Sequence, residues 1–419
     1  MKLATLADYE IFITFLAVAL LLTGAYICGK LMELIKAPKV VGEIIGGMLF
    51  GGTFLYHFFP EFISGIFTGY PEENKVLNIF YQLGLVFLMF SSGFNTKIEI
   101  ERKNSKCMAC LFTGATVLPM LGAIPFVGVF TDAFIGASGN YVAYFLVFII
   151  GVAITSIPVI SKIFFDMGIM NTPFANMVLA VSTFQDLCLW IMLNVATRIA
   201  TTGEVNFLDM AIVVLLTLGM FVVVKLAAGH MHGYRKDVKA IDFYTVSFVV
   251  LLLVCALLSR FGINIMYSAF LVGYIVKAMS EADETAKSRM QAVADFSFSF
   301  FVPVYFALVG IQLNIIHNFS LVRFLLFFLL AFSLEAIGTV IMLLFTNLRK
   351  ETIVNFAITM NARGGPGIVL ATVAYSYDII SIEFFTVLII TTMLSSLIAG
   401  YWLRKQQKKD GTLFYQLTK

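Results

Sequence analysis

Charge is scarce in this chain. Only 13% of its 419 residues are Asp, Glu, Lys or Arg, about half the share found in soluble globular proteins. That deficit excludes an ordinary water-solvated surface, and a net charge of +3 gives no reason to expect a nucleic-acid partner. Histidine is rarer still. His57 and His317 fall at the ends of apolar runs, and His230 and His232 on a basic loop. There is no HExxH sequence, no paired mid-span aspartates and no Ser–His pair, so an intramembrane enzyme is not expected. The five cysteines are scattered, and Cys107-Met108-Ala109-Cys110 has no second CxxC or histidine cluster to complete a metal or redox site. They read as small apolar helix residues. No cofactor is expected.

What the chain has is apolar length. Hydrophobic residues make up 60% of it and the mean hydropathy is +0.94. Hydropathy marks about thirteen membrane spans. They lie near 10–32, 37–58, 76–95, 107–130, 141–166, 172–199, 206–228, 243–261, 264–279, 294–314, 320–346, 352–377 and 383–403. Asp8 and Glu10 precede the first run, which is too long for a signal-peptide core and reads as a retained span. Gly262-Ile263-Asn264 separates the eighth span from the ninth. Connections are short, and the tail after Tyr401 is expected to be too short for a nucleotide-binding domain.

The basic residues test this layout. With the N-terminus outside and the C-terminus cytoplasmic, only Lys2, Lys75, Arg198, Arg260 and Arg323 fall on the outer side, and Arg363 alone is left over, inside a span. All other Lys and Arg are cytoplasmic, as the positive-inside rule requires. A wrong span count would scramble that segregation. The expected fold is therefore an all-α polytopic membrane protein, placed in the plasma (inner) membrane and in contact with lipid.

A faint repeat runs through it. Aligning Gly93 of span three with Gly310 of span ten superimposes aromatic-rich apolar runs, and spans two and nine are both rich in small residues. Span five is interrupted at Thr155-Ser156-Ile157-Pro158, and span twelve at Asn361-Ala362-Arg363-Gly364-Gly365-Pro366-Gly367. Each pair is offset by an odd number of spans, which reverses its orientation. Two inverted six-helix repeats with broken crossing helices follow, with 206–228 as the linker helix; matching interruptions are the best sequence pointer to a transport site.

The chemistry gathers at those interruptions. Pro158 has no N–H and would leave an upstream carbonyl short of a partner, while Thr155 and freed carbonyls are oxygen ligands suited to a small cation. Arg363 at mid-membrane costs about 2.5–3.5 kcal/mol on insertion scales. It would compensate the partial charges of the half-helix ends, or pair with Glu335 of span eleven. Asp186 lies midway along span six, with Ser182 one turn before it on the same face. Desolvation opposes its charge, so it must be neutralised by a proton or by a cation. Competition between those two is the minimal mechanism of an antiporter. Gln185 beside it is a further polar group of the ion and proton site. Glu43 reads as structural.

At these residues the chain resembles the monovalent cation:proton antiporter-2 family. The resemblance rests on Pro38 with Val41-Gly42-Glu43-Ile44-Ile45-Gly46-Gly47, on Leu83 to Phe90 with Gly93, and on Thr155-Ser156-Ile157-Pro158-Val159. It also rests on Asn171-Thr172-Pro173-Phe174, Gln185-Asp186 and Asn361-Ala362-Arg363-Gly364-Gly365. It implies a homodimer of elevator-type transporters. A panel (1–100 and 240–318) would form the dimer and a core (105–200 and 319–405) would carry the ion. In the family the aspartate at the position of Asp186 binds the ion, with oxygen ligands like Thr155 and Ser182 around it. Two departures matter. Electrogenic relatives have a second aspartate where Gln185 stands and a lysine in span ten, and no Lys lies between Ala294 and Leu313 here. The resemblance thus implies a Na⁺ or K⁺/H⁺ antiporter, electroneutral at one ion per proton, with a role in pH homeostasis. The alternatives are a proton- or sodium-coupled symporter of a small organic solute on the same fold, or a non-transporting sensor.

Overall fold

The computed structural model describes residues 5–95, 105–170, 172–203, 240–260, 264–280 and 284–417, with Leu215 and Gly219. The expected linker helix at 206–228 lies outside the described residues, as do Asn171, His230 and His232. Among those described, eight helices are long and apolar enough to cross a membrane. The only β pairing among them is one bridge between Ile135 and Ile380.

The first helices are α1 (Asp8–Leu34), α2 (Lys39–Met48) and α3 (Glu73–Asn95). Then come α4 (Ser105–Phe134), the half-helices α5 (Tyr141–Val152) and α6 (Ile157–Asp166), and the unbroken α7 (Pro173–Thr202). The second half runs through α8 (Ala240–Arg260), α9 (Ile265–Ser280), α10 (Glu284–Ser299) and α11 (Phe301–Ile311). It ends with α12 (Leu321–Leu343), the half-helices α13 (Lys350–Met360) and α14 (Gly365–Ser376), and α15 (Ile382–Lys409). One expected span is shorter than its hydropathy. α2 stops at Met48, and the chain continues through turns and the short helices Leu55–Phe58 and Pro60–Phe67. Gly51 and Gly52 are poor helix formers, and their backbone lies against Ile311 and the Asn314 side chain.

α1, α2, α3, α9 and α11 pack on one another, and α4 to α7 pack with α12 to α15. The tightest crossings in the first group are built from glycine. A side chain at Gly93 would strike the Phe270 backbone, and one at Gly273 would strike Phe90, so α3 and α9 touch main chain to main chain. Gly47 against Ala307 and Gly310 against Ile44 do the same for α2 and α11. In the expected repeat spans two and three correspond to nine and ten, so these two contacts are counterparts, each joining one half to the other. In the second group Phe130, Phe134, Phe148, Phe327 and Phe384 cluster at one end, and Phe164, Phe174, Phe356 and Phe414 at the other. Between these two aromatic layers lie the helix interruptions.

Candidate ion-binding site

Each interruption ends one half-helix and starts another, and the local sequence explains both events. After α5 the chain is non-helical over 153–156. Ser156 is the N-cap of α6, its Oγ accepting from the Val159 N–H at 3.4 Å. Pro158 stands in the first turn of α6, where its missing N–H costs nothing. This corrects the expected role of Pro158: the break precedes it, and the proline begins the second half-helix rather than stripping a carbonyl from the first. Pro366 plays the same part in α14. Gly364, just before it, is required by crowding, because a side chain there would collide with Val159 and Ser156.

The two interruptions are bonded across their crossing. The Ser156 N–H donates to the Ala362 carbonyl at 2.8 Å. The Thr155 hydroxyl donates to the Met360 carbonyl at 2.6 Å and lies 3.2 Å from Glu335 Oε1. Arg363 sends Nη1 to the Gly151 carbonyl at 3.1 Å and Nη2 to the Val152 carbonyl at 2.7 Å. These are terminal carbonyls of α5, the negative end of its dipole. The same Nη2 is 3.2 Å from Glu335 Oε2, and both side chains are buried. Arg363 thus does both things its position allows: it neutralises a half-helix end and it pairs with Glu335. Its own carbonyl accepts from Ser396 of α15. Asn361 donates to the Ala357 carbonyl at 3.0 Å, and its Oδ1 has no partner among the described residues.

Asp186 sits apart from this network. It is 1% exposed on the unbroken α7, and neither carboxylate oxygen has a hydrogen-bond partner among the described residues. Ser182, one turn earlier, is equally buried and its Oγ is equally without a partner. A cavity of about 10 Å³ adjoins Asp186, with Ile154 from the first interruption and Pro366 from the second among its walls. That is room for about one water-sized particle. Among the described residues Asp186 is its one polar lining residue: Ser182, Thr155 and Ser156 do not line it, and Thr155 and Ser156 are turned into the crossing network. Gln185 joins them. Its Nε2 donates to the Ala153 carbonyl at 2.5 Å and lies 3.3 Å from the Ala115 carbonyl.

Ala115 belongs to a feature the sequence reading missed. Residues Thr113–Val117 form a π turn inside α4, a bulge that redirects backbone groups and recurs at functional sites. Gly114 in that turn touches the backbone of Gly338 in α12. Thr116 and Thr339, beside those glycines, are buried hydroxyls without partners among the described residues. The available signal was the small polar run Thr113-Gly114-Ala115-Thr116 within an apolar span. No group of three or more His, Cys, Asp or Glu side chains among the described residues could hold a metal ion.

A family model described as the transmembrane sodium/hydrogen exchanger matches residues 17–405. The chain belongs to the sodium/hydrogen exchanger family. The chain is 23% identical over 393 residues to the Na(+)/H(+)-K(+) antiporter GerN of Bacillus cereus, covering 92% of this chain and 94% of that one. It is 22% identical over 394 residues to cation/H(+) antiporter 17 of Arabidopsis thaliana, covering 91% of this chain but 46% of the plant protein. The chain spans about half the length of such plant relatives. The sodium proton antiporter MjNhaP1 from Methanocaldococcus jannaschii shares the fold, with a TM-score of 0.65 at 17% identity over 96% of this chain and 99% of that one.

Proposed function

We propose that this protein is a secondary active antiporter that exchanges Na⁺ or K⁺ for H⁺ at Asp186, one ion per proton. One observation carries the reading. Five charged side chains are buried among the described residues: Glu43, Glu73, Asp186, Glu335 and Arg363. Lys39 pairs with Glu43 at 3.0 Å, the Gly69 N–H donates to Glu73 at 2.6 Å, and Glu335 and Arg363 hold each other. Asp186 alone has nothing. An isolated buried carboxylate must bind something positive, and ionisable groups at such a depth mark ion and proton paths. Because Gln185 is an amide, the site gains one cation or one proton, and its charge is the same in both loaded states. The roughly 10 Å³ beside Asp186, lined otherwise by apolar residues, gives an organic solute no room. That favours an antiporter over a symporter of a small organic molecule.

Alternating access would come from the core (105–200 and 319–405) moving against the panel (1–100 and 240–318) in a homodimer, with 206–228 as linker. Ser182 would ligate the ion with Asp186. Thr155, Ser156, Asn361, Arg363 and Glu335 would hold the crossing rigid as it moves. The segregation of Lys and Arg supports an outside N-terminus and a cytoplasmic C-terminus, in the plasma (inner) membrane. The test is a panel of monovalent cations in reconstituted vesicles at several pH values. Addition of Na⁺ or K⁺ releases protons with wild-type protein and not with Asp186→Asn. Exchange that survives Asp186→Asn with an unchanged pH dependence would contradict the assignment.

A further inference from the structure

A second cavity, of about 530 Å³, shares no lining residue with the one beside Asp186. One wall is the turn between α1 and α2; the other is the C-terminal part of α15. On α15 its residues fall at helical spacing on one face: Leu397, Tyr401, Arg404 with Lys405, and Lys408. Along that stripe the chemistry passes from aliphatic to aromatic to cationic. This is the order in which a helix leaving a membrane meets hydrocarbon, interface and headgroups. Opposite it, Ile35 supplies an apolar side chain and Lys36 another cation. No acidic residue among those described lines the cavity, and nearby Asp166 is taken up by Lys162 at 2.8 Å.

Lys36 adds an independent observation. Its φ is +60°, a left-handed position that glycine or asparagine usually fills after a helix. The α1 terminus is closed around it, with the Lys36 N–H donating to Glu33 and the Ala37 N–H to Met32. Arg404 donates to the Lys36 carbonyl, so the two walls are already joined there. At this position, where glycine would be less strained, the chain presents a lysine side chain to the cavity.

We propose that this cavity binds the headgroup of an anionic phospholipid. The phosphate would be held by Lys36, Lys405 and Lys408, and an acyl chain would lie along Ile35, Leu397 and Tyr401. Basic pockets at membrane-helix ends recognise such headgroups by charge, whereas a zwitterionic lipid lacks the complementary net charge. The apolar lower wall is what separates a lipid from a free phosphate. The site is distinct from the ion site, so its test needs no transport.

The full-length protein in phosphatidylcholine nanodiscs is titrated with short-chain phosphatidylglycerol, short-chain phosphatidylcholine or glycerol phosphate, and binding is followed by thermal melting and native mass spectrometry. Phosphatidylglycerol is expected to bind and raise the melting temperature; the other two are not. Each basic residue near an anionic surface strengthens binding about fivefold, so Lys405→Gln with Lys408→Gln should weaken it roughly 25-fold. Lys405→Arg with Lys408→Arg should stay within about twofold of wild type, because the charge is kept. Equal binding of phosphatidylcholine, equal stabilisation by glycerol phosphate, or undiminished binding by the Gln variant would each overturn the proposal. The comparison of the three ligands on wild-type protein stands even if a variant fails to fold.

Discussion

The side-chain amide of Gln185 donates to the carbonyl oxygen of Ala153 at 2.5 Å. Ala153 is the first residue after α5, where the helix has ended and the carbonyl has lost its intrahelical partner. Gln185 therefore mends the interruption from the neighbouring helix, and under the proposed mechanism Asp186 is the titrating group. Replacing it with leucine should leave that buried carbonyl without a partner, at about 1–3 kcal/mol. The expected outcome for Gln185→Leu is a lower melting temperature in detergent, while residual exchange keeps its ratio of one ion per proton. A changed ratio would show that Gln185 takes part in proton binding.

The buried pair of Glu335 and Arg363 yields a second prediction. Removing one partner strands a charge, which typically costs about 3–5 kcal/mol, whereas replacing both with apolar groups costs less. Glu335→Leu should therefore destabilise the protein more than Glu335→Leu combined with Arg363→Met, despite the smaller number of changes. Thermal unfolding of the two variants decides it. The Gly151 and Val152 carbonyls lose their donor in the double variant, so some loss of stability should persist there. Equal stability of the two variants would mean that the pair is not coupled.

Glycine crossings supply a third. Gly93→Val or Gly47→Val places a branched side chain against a neighbouring backbone, at Phe270 or Ala307 respectively. Overpacking of this kind costs about 1–3 kcal/mol. Both variants should melt earlier, and Gly65→Val, where nothing lies within 4 Å of an added carbon, should melt like the wild type.

Much of this was legible in the chain, for identifiable reasons. Spans show in sequence because a hydrocarbon environment demands continuous apolar runs, and their direction shows because Lys and Arg segregate. Asp186 and Arg363 stand out because charge within such runs is costly. The pairing of Arg363 with Glu335 was one of two open roles, and the geometry satisfies both at once. Three things were not legible. Pro158 could break a helix or begin one, and only the position of the Ser156 cap distinguishes these. The hydroxyl of Thr155 could turn to Asp186 or to Met360, a choice made by side-chain rotation after folding. The π turn at Thr113–Val117 leaves no change in hydropathy, so Thr116 and Thr339 were passed over as ordinary helix residues.

Competition at a single carboxylate has a kinetic signature. On the acid side of the activity profile, the apparent affinity for the transported cation should fall about tenfold per pH unit, because one proton must leave for each ion that binds. The maximal rate at saturating cation should change far less. Initial rates in vesicles across a matrix of pH and cation concentration measure both. A fall near a hundredfold per unit would point to two protons per ion.

The central claim is that Asp186 exchanges one proton for one cation. Isothermal titration of the purified protein with the transported cation, repeated in buffers of different ionisation enthalpy, counts the protons released on binding. The account predicts one proton per bound ion for the wild type when the site begins protonated, and neither ion binding nor proton release for Asp186→Asn. Two protons per ion, or binding by Asp186→Asn with the wild-type proton count, would contradict it.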